Sequence, residues 1–420
     1  MFCGHIMSLS YNIFFHIFVA CWVGSCVKMV LQGFEVPSWF GWLTGVLFIK
    51  LPWGLPIFKS FCNFTTFVIL AINIFTQVLW IDFFLHSRQL ENEKFLRKIL
   101  LQGFTIFGVI FNAFIRIFFC FQARNVCEFL SKLEDYPVST VPTTLQKTRR
   151  LFSLLTWVSL CLRLGTGIFL AIQLSQIVPE DSWISSLGNI GYLGFMGLFG
   201  VLPIVSSFYV AFSFIVVTAV YLVWIFEDYG IQIEEAIKHA KKDPFQAVLQ
   251  TRVLRQMLQE MKMDSSHFDL IQKFEDIRGL FRLFDEIVSP LLFCLIVMSV
   301  TSLVHAANSI LIEGSSSASW AGLVSNWFNL AYQTVQLFLL QLGQDLYDRI
   351  AERKAKLNKM VSLMPVSISK LQLSDIVESL SIWKWEMTAW GFFRVNRGLM
   401  SAVFSTIMAY VVILFQLYME

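Results

Sequence analysis

Thr388-Ala389-Trp390-Gly391-Phe392-Phe393, followed by an apolar run that closes on Ala409-Tyr410-Val411-Val412-Ile413-Leu414-Phe415-Gln416-Leu417, decides how this chain is to be read. Residues 396-418 are long enough to cross a bilayer as one helix, because a hydrocarbon core of about 30 Å takes roughly 20 residues at about 1.5 Å each. At about 100° per residue, Thr406, Ala409, Ile413, Gln416 and Glu420 fall on one stripe. A buried amide with unmet donors and acceptors is costly in lipid, so Gln416 is expected to face protein or water.

The rest of the chain has the same character. Its 420 residues are 56% hydrophobic and only 15% charged, with 43 Phe and a mean hydropathy of +0.65. That balance excludes an ordinary soluble domain. Apolar runs at 61-86, 98-121, 151-177, 188-225, 283-311, 319-345 and 396-418 predict seven transmembrane helices. They are too long for barrel strands and lack strict alternation, so the expected fold is an all-α polytopic membrane protein.

Lysine and arginine in the links set the orientation. Segments 122-150, 226-282 and 346-397 are rich in both, whereas 178-187 and 312-318 contain neither. The positive-inside rule then puts the N-terminus in the cytoplasm and the C-terminus outside, the reverse of a G-protein-coupled receptor. One link dissents, since 87-97 should be outside yet holds Arg88, Lys94 and Arg97. Residues 1-60, broken by Pro37, Pro52 and Pro56, read as a membrane-associated segment. The Asn63-Phe64-Thr65 sequon falls at the inner face and is expected to go unused.

Two basic links are patterned rather than irregular. Ile231, Ile233, Ala236 and Ile237 recur at helical spacing, as do Leu254, Met257, Leu258 and Met261. Opposite charges three or four apart support helix from Tyr347 to Lys359. Ser374 is a plausible N-cap for a short helix whose stripe is Ile376, Val377, Leu380 and Trp383. The expectation is a bundle of membrane helices extended into the cytoplasm. The division is a membrane-associated 1-60, a ligand-binding region 61-345, anchor helices 346-390 and a pore helix 391-420.

Several chemistries find no residues to carry them. The eight cysteines lie mostly in or beside apolar runs without paired spacing and read as small buried hydrophobes. No His, Cys and carboxylate cluster has metal-ligand spacing, so neither a metal nor a cofactor is expected. No nucleophile, base and orienting partner form a set, so the chain is not expected to be an enzyme. A net charge of +3 gives no reason to expect a nucleic-acid partner.

The terminal stretch resembles the C-terminal signature of the insect gustatory and odorant receptor superfamily, Thr-Tyr, five hydrophobic residues, Gln-Phe. Tyr410, the run Val411 to Phe415, and Gln416 match it in register, with Ala409 and Leu417 in place of its Thr and Phe. Upstream, Thr388-Ala389-Trp390-Gly391-Phe392-Phe393 looks like the family's short segment between its last two helices. The resemblance implies a chemosensory, ligand-gated, non-selective cation channel of the plasma membrane. It also implies a homo- or heterotetramer with the last helices around a central pore. Carried onto this chain, Gln416 lines the outer pore and Ile413 forms the gate, and an isoleucine ring can close a narrow path by dewetting. Glu420 at the mouth would draw cations. Gly391 is expected to permit the bend before the pore helix, with simple close packing as the other reading.

A tastant or odorant pocket is expected in the outer half of spans three to six, where Gln173, Tyr192, Ser302, His305, Asn308, Trp327, Asn329, Tyr332 and Gln333 offer hydrogen bonds within an apolar wall. The Phe richness leans towards an apolar ligand. The alternatives are a non-conducting receptor-like subunit and a membrane transporter. No matched pair of broken helices in two halves supports the latter.

Overall fold

The computed structural model describes residues 71, 74, 75, 95–134, 136, 158, 161, 162, 164–166, 168, 169, 202–242, 264–313, 320–340, 342–364 and 368–419. The readings of 1-60, of nearly all of 61-86, of the links 87-94 and 178-187, and of the stripe Leu254 to Met261 lie outside them.

The described chain is almost entirely helical. In order it forms α1 (Phe95–Phe121), α2 (Ala123–Glu134), α3 (Leu202–Lys242), α4 (Asp264–Glu313), α5 (Trp320–Leu340), α6 (Leu342–Ser362) and α7 (Ile368–Ile382). A two-stranded hairpin, β1 (Thr388–Ala389) and β2 (Phe393–Arg394), then leads into α8 (Arg397–Met419).

Lengths explain the architecture. At about 1.5 Å per residue, the 41 residues of α3 and 50 of α4 reach about 60 and 75 Å, twice a hydrocarbon core or more. Within them Ser206–His239 and Asp269–Ala307 are long and apolar enough to cross a membrane. The excess length forms a charged bundle at one end, where the start of α4 and the end of α3 meet α6 and α7. α4 is the hub, packing against α1, α2, α3, α5, α8 and the hairpin.

The charged bundle has an aromatic centre. Trp383 packs on Phe226 of α3 and on Phe274 and Phe281 of α4, with ring centroids 5.7, 6.0 and 5.0 Å away. Two residues later Trp385 meets Phe281 at 4.9 Å and donates Nε1–H to Asp285 Oδ1 at 3.1 Å. The Lys354 ammonium of α6 lies 4.7 Å over the Trp383 ring and donates to the Trp383 carbonyl. Around this centre, Glu234 of α3 accepts from Arg353 and Lys356 of α6, the latter at 2.7 Å.

Periodicity placed Ile233, Ile237, Ile376, Val377 and Leu380 correctly, since all are buried. Ser374 corrects the reading of the short helix. α7 begins at Ile368, so Ser374 sits inside it and caps nothing. A cap signal is local, and the earlier start follows from Leu373, which is buried against the bundle before Ser374 is reached.

The hairpin is held by both its turn and its neighbours. Trp390 and Gly391 have φ of 50° and 72°, and Phe392 N–H closes the turn onto the Ala389 carbonyl at 3.0 Å. Two successive left-handed residues are what the centre of a type I′ turn over 389–392 requires, and Phe392 completes a three-residue loop before pairing begins at Phe393. Glycine adopts that conformation freely, whereas tryptophan there costs about 1–2 kcal/mol. Trp390 N–H also donates to Ser289 Oγ of α4 at 2.7 Å.

Candidate functional site

Two features stand apart from ordinary packing, a polar face buried between helices and a terminal helix bare along most of its circumference. The first is on α5. Ser325, Asn329, Tyr332, Gln333 and Gln336 recur at helical spacing, and all are buried. Their neighbours are Thr166, whose carbonyl accepts from Ser325 Oγ at 3.2 Å, and Tyr209 of α3, which lies near Tyr332. Gln333 Nε2 donates to Asn329 Oδ1 at 3.2 Å, but among the described residues Gln333 Oε1 has no hydrogen-bond donor. A buried carbonyl oxygen without a donor costs about 1–3 kcal/mol, so the position is suited to a donor from outside the chain.

An aromatic wall adjoins this face. Phe169 stacks on Phe328 at 5.7 Å and meets Trp320 edge-on at 5.9 Å. Gly165 lets Phe328 approach, since a Cβ there would lie 3.1 Å from its ring. Among the residues expected in a pocket, Asn329, Tyr332 and Gln333 come together on α5. Ser302 is buried on α4 and His305 is half-buried one turn on. Trp327 is 52% exposed and turns away, because two residues from Asn329 is roughly the opposite side of a helix. Gln173, Tyr192 and the side chain of Asn308 lie outside the described residues.

Sequence reasoning passed over a second polar node. Arg116, wholly buried in α1, donates Nε–H to Asn112 Oδ1 and a guanidinium N–H to Ser206 Oγ of α3, both at 3.1 Å. Ser207 Oγ donates to the same Asn112 oxygen at 2.5 Å. These neutral oxygens join α1 to α3. The signal was available, because a lone arginine inside an apolar run has to find partners.

The second feature is α8. Its 23 residues reach about 35 Å, enough for one crossing. Ile407 is buried, and Leu399, Val403, Phe404 and Val411 pack partly against the core, so one face of α8 rests on the bundle. Thr406, Ala409, Ile413 and Gln416 share the far side, and each is exposed, Ile413 by 51%. Thr406 Oγ1 donates back to the Ala402 carbonyl at 2.8 Å. Glu420 lies outside the described residues. The base of α8 is tied down where Arg397 donates to Asp345 of α6 at 2.8 Å.

A family profile described as "7tm Chemosensory receptor" matches residues 36–420. The chain belongs to the 7tm chemosensory receptor family. The insect olfactory receptor OR5 from Machilis hrabei has a similar fold. Its complex with eugenol superimposes with a TM-score of 0.66 over 92% of this chain and 98% of that one, at 14% identity. A second structure of that receptor gives a TM-score of 0.64, again at 14% identity, over 92% of this chain and 100% of that one. No curated protein sequence matches the chain. This chemosensory receptor is therefore a multi-pass membrane protein, and its likeness to the olfactory receptor is one of fold. Tyr410, Gly391, Phe392 and Phe393, which carried the resemblance, sit on α8 and its hairpin.

Proposed function

We propose that this receptor is a ligand-gated, non-selective cation channel rather than an enzyme, with four copies of α8 around a central pore. The observation that carries the reading is the bare far face of α8, a bilayer-length helix with Thr406, Ala409, Ile413 and Gln416 in line. A lipid-facing helix gains nothing from an exposed glutamine, whereas rotational symmetry can bring one such stripe from each subunit to a shared axis. Ile413 forms the gate by dewetting, and Gln416 lies in the wider outer mouth with Glu420 beyond it. The charged bundle faces the cytoplasm and the C-terminus faces outside, in the plasma membrane.

The activating ligand is a small neutral molecule, tastant or odorant, held against the polar face of α5. It supplies a donor to Gln333 Oε1 and packs on the aromatic wall. Eugenol in the related olfactory receptor is a ligand of this kind. Supporting roles fall to Asn329, Tyr332, Ser302 and His305.

Currents recorded from membranes holding this chain alone, with a panel of small hydroxylated aromatics and sugars, test both parts. Ile413→Ser should produce current without ligand, and Gln416→Glu should change cation preference while leaving activation intact. Gln333→Leu should weaken activation by hydrogen-bonding ligands only. A surface-expressed, assembled protein that never conducts would favour a non-conducting subunit. Unchanged ion preference in a conducting Gln416→Glu channel would remove Gln416 from the pore.

A further inference from the structure

We propose that the tip of the 388–394 hairpin is a membrane wedge whose partner is lipid, with Trp390 and Phe392 inserted among acyl chains of the leaflet next to the charged bundle. This rests on the membrane-protein assignment and not on the channel reading.

The hairpin's path beside α4 gives its depth. Trp385 meets Phe284 and Asp285, Thr388 and Trp390 meet Ser289, and Trp390 and Phe392 meet Phe293. As the chain advances from 385 to 392, its contacts climb from 285 to 293, about 12 Å along the helix axis. The climb enters the long apolar part of α4, which then continues to Ala307. After the turn the chain comes back down, and Val395 N–H returns to the Met387 carbonyl at 2.9 Å.

Charge divides the hairpin in the same sense. At its base Arg394 pairs with Glu386 at 2.7 Å, and Arg397 with Asp345 at 2.8 Å. The tip is apolar and bare, with Trp390 52% and Phe392 73% exposed. A wet base with an apolar end is the distribution expected at a membrane interface, where tryptophan is enriched.

The surface that the tip joins identifies its partner. Phe107, Ile110, Ile117 and Phe121 are exposed on α1, and with Phe114 they form one stripe along that helix. Such a stripe on a membrane-spanning helix faces lipid. Trp390 packs on Phe114 with ring centroids 6.1 Å apart, so the tip extends this lipid face rather than opening a separate patch. A bulky tryptophan at a left-handed turn position, where glycine or asparagine is the unstrained choice, fits a side chain kept for what it touches.

The test places the photo-crosslinker p-benzoylphenylalanine singly at Trp390, Phe392, Phe121 and Ile382 of the full chain, reconstituted in phosphatidylcholine nanodiscs. Phe121 reports the lipid face of α1, and Ile382, exposed at the end of α7, reports the charged bundle. After irradiation, intact-mass analysis should show phosphatidylcholine adducts at 390 and 392 in yields comparable to 121 and several-fold above 382. A covalent dimer from position 392 would assign the tip to a second copy of this chain and overturn the proposal. So would the absence of adducts at 390 and 392 while 121 gives them.

Discussion

Two glycine-to-alanine changes, chemically identical and both in helices of the charged bundle, should move stability in opposite directions. In a helix interior the exchange gains about 1 kcal/mol, because alanine loses less backbone freedom on folding. At Gly279 of α4 nothing lies within 4 Å of the added Cβ, so that gain should appear intact. At Gly230 of α3 the Cβ would sit 2.8 and 2.9 Å from Cδ and Cγ of Arg353. These atoms cannot simply swing aside, because the guanidinium is held at Glu234, the two side chains being only 17% and 10% exposed. Forced overpacking costs about 1–3 kcal/mol, enough to cancel or reverse the propensity gain. Since that gain is common to both variants, the difference between them isolates the clash, also about 1–3 kcal/mol. Heating the detergent-solubilised protein and following its monodisperse fraction gives the Tm order Gly279→Ala, then wild type, then Gly230→Ala. In an Arg353→Ala background the Gly230 change should become stabilising, because the obstructing side chain is gone. A Gly230→Ala protein as stable as Gly279→Ala would refute the packing of Arg353 over α3.

Two further outcomes follow from the same region. Burial lowers the Lys354 ammonium from an ordinary 10.5 to about 8, so between those values the unfolded chain holds a proton that the folded chain has released. Stability must then rise with pH through that window, and the Tm difference between wild type and Lys354→Met should shift in favour of wild type from pH 8 upwards and stay flat below it. Gly391→Ala meets no neighbour within 4 Å, so its entire cost is the left-handed backbone, about 1 kcal/mol, and Gly391→Asn should cost less in the same melting assay.

The class of the protein and the spacing of its surfaces are legible in the amino-acid sequence. Apolar run lengths require membrane helices, because an unpaired backbone cannot remain in hydrocarbon. Helical period alone put Thr406, Ala409, Ile413 and Gln416 on one side of α8, and Ile376, Val377 and Leu380 on one side of α7. Those patterns are local, so a single strand of text carries them. Contacts between residues about a hundred positions apart are not local, and they exist only once the helices have packed together. Trp383 looked like the end of a helical stripe, but it is the centre to which α3, α4 and α6 converge. Trp327 is expected in the same pocket as Asn329, yet helical period sets the two on opposite sides of α5, and packing decides which of those sides is buried. Arg116 was visible as a charge in an apolar run, yet the oxygens of Asn112 and Ser206 that receive it could not be named until α1 and α3 were laid together. The hairpin shows the division most plainly. Gly391 announced a bend, but the climb of Trp390 and Phe392 along α4 depends on Ser289 and Phe293 standing beside them, and nothing in the local chain encodes that neighbour.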